Sequence, residues 1–355
     1  MPKQTMLPFG KKQYTISEFD IFRSPSYWEK FSDDELLAYA QLIRKFYRER
    51  GYPYYKLSLH DKYQLFRQLT TVNVTELLQN DIIRQTMHGL NIAWSYFPHA
   101  PEVPCNNCLT PMQVFTDDTL FLKAILKMLK IGFPVSDAGL RKILRIFSST
   151  QMVSNFRPTA AMCIYKHFAP SYAKVWDMSA GFGGRLLGAL ASPNIRVYIG
   201  TDPAELTIQG LTQMSTELNT MKKNIQLYPI GSEDYLPEKE SLDVCFSSPP
   251  YFNHEKYSIE PTQSYVKFST PKQWMQGFLL KTIDNCWHGL KHGGYLILNI
   301  ADVTNYPTLC GDFLEGMKAT AFTYQKMLRL ELSKLIKTEA DQDFKYEPIY
   351  VFQKE

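Results

Sequence analysis

The chain has no apolar run approaching the ~20 residues of a membrane-spanning helix, and no membrane role is expected. Met1-Pro2-Lys3-Gln4 does not begin a secretory signal pattern. Cysteine is sparse, with six scattered over 355 residues, so a reducing cytoplasm is the natural setting. Cys105 and Cys108 form a Cys-x-x-Cys with His99 nearby, but the second pair usual in a four-ligand zinc site is missing. No metal is expected there, and a turn before Thr110-Pro111 is the better reading. The chain also lacks Gly-x-Gly-x-x-Gly, the loop that cradles a dinucleotide pyrophosphate, which turns the reading away from NAD.

The composition, 45% hydrophobic and 21% charged, suits one large domain or two smaller ones. Charge is uneven: residues 1–150 hold 19 Lys+Arg against 14 Asp+Glu, while residues 151–355 hold 20 against 21. The excess positive charge therefore belongs to the amino-terminal part, as binding of a polyanion would require.

The apolar run Leu242-Asp243-Val244-Cys245-Phe246 reads as a buried strand and leads into Ser247-Ser248-Pro249-Pro250-Tyr251-Phe252. Two prolines cannot donate backbone hydrogen bonds and fix their own φ, so the strand ends in a stiff turn. Such a turn, with a hydroxyl, a free carbonyl and an aromatic face, suits a flat amino-bearing ring, although Pro-Pro is also ordinary loop punctuation.

Upstream, Val175-Trp176-Asp177 runs into Met178-Ser179-Ala180-Gly181-Phe182-Gly183-Gly184-Arg185 and then a helix, the topology of a nucleotide-type site. Asp177 would repel a pyrophosphate, which favours a ligand with a cationic or amino-acid portion. Val197 to Asp202 reads as a second strand ending in a carboxylate able to accept two ribose hydroxyls. Plain structural readings stay open: a tight turn at Gly181 to Gly184, a core place for Phe156, and Asp202 capping a helix that starts at Pro203.

Together these residues resemble the amino-group DNA methyltransferases, which form N4-methylcytosine or N6-methyladenine from S-adenosylmethionine. The resemblance covers about the last two hundred residues and is nearest to versions carried by phages and mobile elements. Those share the surroundings Asn155-Phe156-Arg157-Pro158-Thr159 and Tyr251-Phe252-x-x-Glu255-Lys256-Tyr257. It implies a seven-stranded Rossmann-like class I methyltransferase sheet (an α/β fold) over residues 151–355, closed by the hairpin Tyr324 to Leu330 with Tyr346 to Phe352. The strand Gly293 to Ile300 would be the fifth, its glycines turning out of the preceding helix.

Carried over residue by residue, the resemblance implies that Phe156, Pro158, Thr159, Asp177, Ser179, Gly181, Gly183, Asp202, Pro203, Ser232 and Glu233 bind S-adenosylmethionine. Ser248, Pro249, Pro250 and Tyr251 would be the catalytic tetrapeptide. Duplex DNA is the implied partner, in a bacterial cytoplasm, and a restriction endonuclease partner stays open.

An exocyclic amine is a poor nucleophile, because its lone pair is delocalised into the ring. The expectation is that the Ser248 hydroxyl and the Pro249 carbonyl accept from the amine of a flipped base, with Tyr251 and Phe252 stacking on it. Ring-carbon methylation would need a nucleophilic cysteine, and Cys245 lies inside the strand before the turn. In the family, serine at the first tetrapeptide position goes more often with N4-cytosine; N6-adenine is the alternative. Rivals of another class are an RNA or protein methyltransferase and a non-catalytic DNA-binding relative. The segment from His254 to Tyr265, with Tyr257 and Tyr265, is read as a mobile lid over the base or, alternatively, as an ordinary surface loop.

Residues 1–150 read as mainly helical and, by elimination of space elsewhere, as the target-recognition region. The capping box Ser32-Asp33-Asp34-Glu35 opens a helix to Gly51, with Leu36, Leu37, Ala40, Ile43 and Tyr47 inward and Arg44, Lys45 and Arg48 opposite. Further helices after Thr116 and Ser136 carry the stripes Lys123, Lys127, Lys130 and Arg141, Lys142, Arg145. Of these, Arg44, Arg48, Lys127, Arg141 and Arg145 are the candidate DNA contacts. Solvated helix faces look the same one at a time. Tyr52, Tyr54, Tyr55 and Trp94 could be core or base-stacking groups.

Overall fold

A computed structural model describes residues 25–332 and 345–355; the reading made on Met1 to Gln4 lies outside them. Within these residues the strands are β1 Leu78–Gln79, β2 Ile82–Ile83, β3 Ala173–Asp177, β4 Ile195–Thr201, β5 Asn224–Tyr228, β6 Leu242–Ser247, β7 Leu290–Asn299, β8 Thr323–Glu331 and β9 Tyr346–Gln353. They form one sheet in the order β1-β2-β8-β9-β7-β6-β3-β4-β5.

From β5 to β7 all neighbouring pairs are parallel, whereas β9 runs antiparallel to both β7 and β8. The chain lays β3, β4 and β5 outward in one direction, then returns to place β6 on the other side of β3. That reversal lies at the carboxyl ends of β3 and β6, the place where open α/β sheets bind ligands. β3 and β6 are buried almost throughout, as expected of parallel strands covered on both faces.

The α/β expectation holds, with two strands added to the expected sheet. Within the described residues, 151–355 supply seven strands, β3 to β9, and β1 and β2 bring the sheet to nine by pairing with each other and adding through β2 to β8. Strands of two residues are too short to show an alternating pattern. β7 also begins at Leu290, ahead of Gly293 and Gly294, so these glycines lie within the strand.

The boundary at residue 150 is replaced by a discontinuous division. Among the described residues, 25–54 and 108–152 form one compact unit, and 55–107, 153–332 and 345–355 the other. The segment 55–107 joins the sheet unit through the helix Leu59–Thr70, whose Lys62 Nζ lies 2.8 Å from Glu217 Oε2. Tyr96 donates to the same carboxylate oxygen at 2.6 Å.

The helical unit is built as its caps suggest. Ser32 closes a capping box on the helix Asp33–Arg50, Asp117 caps Asp118–Lys130, and Ser136 caps Asp137–Ile146. Leu36, Ala40, Ile43 and Tyr47 are buried as expected, together with Phe121, Met128, Leu140 and Leu144. Each large apolar side chain so enclosed contributes roughly 1.5–3 kcal/mol. Leu37 departs from the expectation and faces solvent.

Candidate active site

The carboxyl end of β3 is organised by a buried ion pair. Asp177 ends β3 with 1% of its side chain exposed, and its Oδ2 accepts from Arg185 Nε at 2.8 Å and from Tyr198 Oη at 2.7 Å. Its Oδ1 accepts from Ser247 Oγ at 2.9 Å. Burying a carboxylate is tolerable only with such pairing. The Arg185 guanidinium also donates to the Ser179 carbonyl, drawing the start of the turn onto the following helix, Gly184–Ala191. The oxygens of Asp177 are thus taken up by the protein itself. The carboxylate anchors the turn, in place of the direct ligand contact expected of it. Arg185, Tyr198 and Ser247 were not singled out in the sequence, where nothing marks their meeting.

The turn itself needs glycine. Gly181 and Gly183 have φ of +54° and +75°, in the left-handed region that side chains disfavour. At Gly184 a Cβ would lie 1.8 Å from the Phe156 carbonyl oxygen. That close approach brings in the Asn155 segment, and Asn155 staples it by donating from Nδ2 to Phe182 O at 2.8 Å and accepting from Gly184 N at 3.2 Å. Phe156 is half-buried, packed edge-on to Phe246 at 5.3 Å under the Arg185 guanidinium. Pro158 opens the helix Pro158–Phe168. Thr159 is fully buried, and its hydroxyl oxygen accepts from the Thr86 hydroxyl at 3.1 Å. Thr159, expected among the cofactor-binding residues, thus spends its hydroxyl on an interior tie.

Asp202 follows β4 and stays partly exposed. Its Oδ2 accepts from Gly181 N and its Oδ1 from Ala204 N, both at 3.0 Å, which fixes the carboxylate over the turn. Burial pushes its pKa up to about 6, against the pull of those two amides. The next helix is Glu205–Leu218, so Pro203 lies ahead of it and not at its first position. Ser232 and Glu233 form a single turn of 3-10 helix beyond β5 and are both buried. Ser232 Oγ pairs with Thr282 Oγ1 at 2.8 Å, and Asn285 Nδ2 donates to the Ser232 and Glu233 carbonyls at 3.1 Å.

β6 and β3 bring the two motifs together, since Ser247 Oγ also accepts from Ser179 N at 3.0 Å. Ser248, Pro250 and Tyr251 are partly exposed, and Pro249 is buried. Tyr251 donates to the Asn299 carbonyl at 3.1 Å, so its phenol is pinned to the end of β7, with Ser248 Oγ 3.4 Å away. Phe252 is a correction. With φ of +56° it turns away from the strand direction, and its ring enters the core against Trp274 and Tyr306. It is 6% exposed and is not presented to a base.

The segment expected to be a mobile lid is tied down in this structure. Asn106 N donates to His254 O at 2.7 Å and Lys256 N to Pro104 O at 2.9 Å, while Glu255 Oε1 accepts from Ser154 N at 2.8 Å. Tyr257 donates to the Glu255 carboxylate and packs at 5.8 Å from the Phe182 ring of the glycine turn. Tyr265 donates to the Ser258 carbonyl at 2.6 Å, bending the segment back on itself. Cys105, which follows Pro104, is fully buried, and Cys108 is half-buried. Among the described residues no group of three His, Cys, Asp or Glu could hold a metal ion. Trp94 is buried against Phe182, a core place.

The basic stripes divide into two kinds. Arg48 donates twice to Asp118 Oδ1 and once to the Thr116 carbonyl, and its guanidinium lies 5.1 Å from the centroids of Phe115 and Phe121. Arg44 donates to the Asp118 carbonyl at 3.4 Å, and Arg141 to the Pro53 carbonyl at 2.9 Å. These three, all partly exposed, brace the helical unit. Lys123, Lys127 and Lys142 are exposed, and Arg145 is partly so. Tyr52 is buried in this unit's core.

No family model matches the chain, and no curated protein does. Among solved structures it is similar to a SAM-dependent O-methyltransferase of Thermotoga maritima. That match has 12% identity and a TM-score of 0.39, covering 57% of this chain and 67% of that one. It is similar too to an rRNA methylase of Streptococcus thermophilus, at 15% identity and a TM-score of 0.36, covering 57% and 99%. A geranyl diphosphate C-methyltransferase of Streptomyces coelicolor, solved with S-adenosyl-L-homocysteine, gives 11% identity and a TM-score of 0.38, covering 55% and 78%.

Proposed function

We propose that the chain is an S-adenosylmethionine-dependent DNA methyltransferase acting on the exocyclic amino group of a flipped base, with N4 of cytosine preferred over N6 of adenine. The observation that carries this reading is the meeting of the two motifs. The glycine turn after β3 and the Ser248–Tyr251 turn after β6 stand side by side at the sheet reversal, joined by Ser247 Oγ to Asp177 Oδ1 at 2.9 Å.

The residues present fit the cofactor. Asp202 spends one lone pair of each oxygen on a backbone amide and keeps acceptor capacity for ribose hydroxyls. Glu233 holds a buried oxygen, Oε2, with no hydrogen-bond partner among the described residues, suited to an adenine amine. When bound, S-adenosylmethionine supplies an activated methyl group on a sulfonium.

This chain's part is positioning and local electrostatics. Ser248 Oγ and the Pro249 carbonyl accept from the amine, which turns its lone pair toward the methyl group. Tyr251, pinned at Asn299, offers its ring face to the base. The exposed lysines of the helical unit contact phosphate.

The test supplies S-adenosylmethionine and unmethylated duplex DNA to the purified protein and identifies modified nucleosides by mass spectrometry after digestion. N4-methylcytosine is expected. N6-methyladenine would overturn the choice of base and keep the reaction. No modified nucleoside in DNA, with cofactor bound, would overturn the DNA substrate.

A further inference from the structure

The segment that follows the tetrapeptide returns to the sheet unit at Lys267, the last residue of the short helix Ser264–Lys267. Lys267 Nζ lies 3.0 Å from Glu233 Oε1 and 2.5 Å from Asp234 Oδ2. The two carboxylates differ in kind. Asp234 is exposed, whereas Glu233 is 5% exposed and its Oε2 is buried without a hydrogen-bond partner among the described residues. One oxygen of Glu233 is thus neutralised by the lysine, while the other remains an acceptor waiting for a donor.

The electrostatics make the lysine necessary. Burial pushes the Glu233 carboxyl toward its protonated form, and the neighbouring charge of Asp234 pushes the same way. The Glu233 backbone amide and Lys267 pull the other way, and burial still leaves the carboxyl raised above its ordinary value. The adjacent helix Lys281–Gly289 turns neutral side chains to this turn, Thr282 toward Ser232 and Asn285 toward the backbone carbonyls. Removing Lys267 takes away the cation paired with this carboxylate at 3.0 Å and strengthens the push toward the protonated form.

We propose that Lys267 is a positioning residue that holds Glu233 as an ionised acceptor for the exocyclic amine of the cofactor's adenine. Recognition of the adenine then depends on the segment that follows the base-gripping turn. The inference rests on the S-adenosylmethionine reading above. It has a mechanical consequence: moving the short helix Ser264–Lys267 away from Glu233 takes the cation with it, so cofactor affinity reports whether that helix is docked. A protonated Glu233 could donate as well as accept, and discrimination between an amine and a carbonyl on the purine would fall.

The experiment measures binding by calorimetry, without turnover, for wild type, Lys267→Met and Lys267→Arg. The probes are S-adenosylhomocysteine and its 6-oxo counterpart, S-inosylhomocysteine, at pH 6 to 9, with matched thermal melts as the folding control. Lys267→Met is expected to weaken adenosyl binding about tenfold at pH 7, as for removal of a charge-assisted hydrogen bond. It should also lose most of the preference for the amine over the carbonyl and gain adenosyl affinity as pH rises. Lys267→Arg should restore the preference. If Lys267→Met keeps wild-type affinity, preference and pH profile, the proposal is overturned. If wild type itself binds neither probe, the cofactor reading falls and this proposal with it, an outcome distinct from the preceding one.

Discussion

Arg185 Nε donates to Asp177 Oδ2 at 2.8 Å across a pair whose side chains are 6% and 1% exposed. The pair underlies the glycine turn and reaches its backbone through the Ser179 carbonyl. Removing one partner of such a pair strands the other charge in a low-dielectric interior, at a cost of about 3–5 kcal/mol. Arg185→Met should lose roughly that much in urea denaturation. The double variant Asp177→Asn, Arg185→Met should recover part of it, because no unpaired charge is left. Additive losses would show that the two residues act independently.

Asp202 predicts a pH dependence of cofactor binding. Its pKa is raised to about 6 by burial, so below that pH it becomes a neutral acid and a poorer acceptor for ribose hydroxyls. Affinity for S-adenosylhomocysteine should fall as pH drops from 7 to 5, approaching tenfold per unit below the pKa. Folding of the ligand-free protein runs the opposite way. A folded-state pKa above the ordinary value of 3.8 gives a stabilisation that is full below about pH 4 and lost as pH rises through 6. Asp202→Asn should weaken binding at every pH and flatten the slope; calorimetry across that range decides it.

Ser248 and Tyr251 should separate chemistry from binding. Ser248→Ala removes a partly exposed hydroxyl that holds no part of the glycine turn. Methylation is expected to drop about 10²-fold or more, the size of losing a positioned polar group at a reacting centre, with S-adenosylhomocysteine affinity kept. Tyr251→Phe breaks the tie to the Asn299 carbonyl while preserving the ring. It should lower turnover less than Ser248→Ala does, and single-turnover rates beside binding isotherms measure both.

What could be read in the sequence was what is local. Ser32 and Ser136 announce their helices because a cap needs only its own next three residues. The turns after β3 and β6 were legible because glycine and proline act on their own φ and on their immediate neighbours. Long-range partners were not. Arg48 looked like a surface cation on its helix, yet its carboxylate lies seventy residues on, at Asp118. Phe252 looked like an extension of the tetrapeptide's aromatic face until a positive φ turned it inward. Residues 55–107 fall on the sheet side, where β2 pairs with β8 and where Lys62 and Tyr96 meet Glu217 across more than a hundred residues of chain.

The division of the basic stripes gives a test of the helical unit as a DNA surface. Lys123 and Lys127 are exposed on the helix Asp118–Lys130, and reversing both should weaken duplex binding. If they meet phosphates, the slope of log affinity against log salt should fall by about 0.9 for each phosphate no longer neutralised. Arg48→Ala acts differently, since its guanidinium is spent on Asp118, the Thr116 carbonyl and two phenyl rings. It should lower the melting temperature and leave the salt slope of the folded fraction unchanged. Fluorescence anisotropy with a labelled duplex over a salt series, beside thermal melts, separates the two effects. A wild-type slope in the Lys123→Glu, Lys127→Glu variant would remove that stripe from the interface.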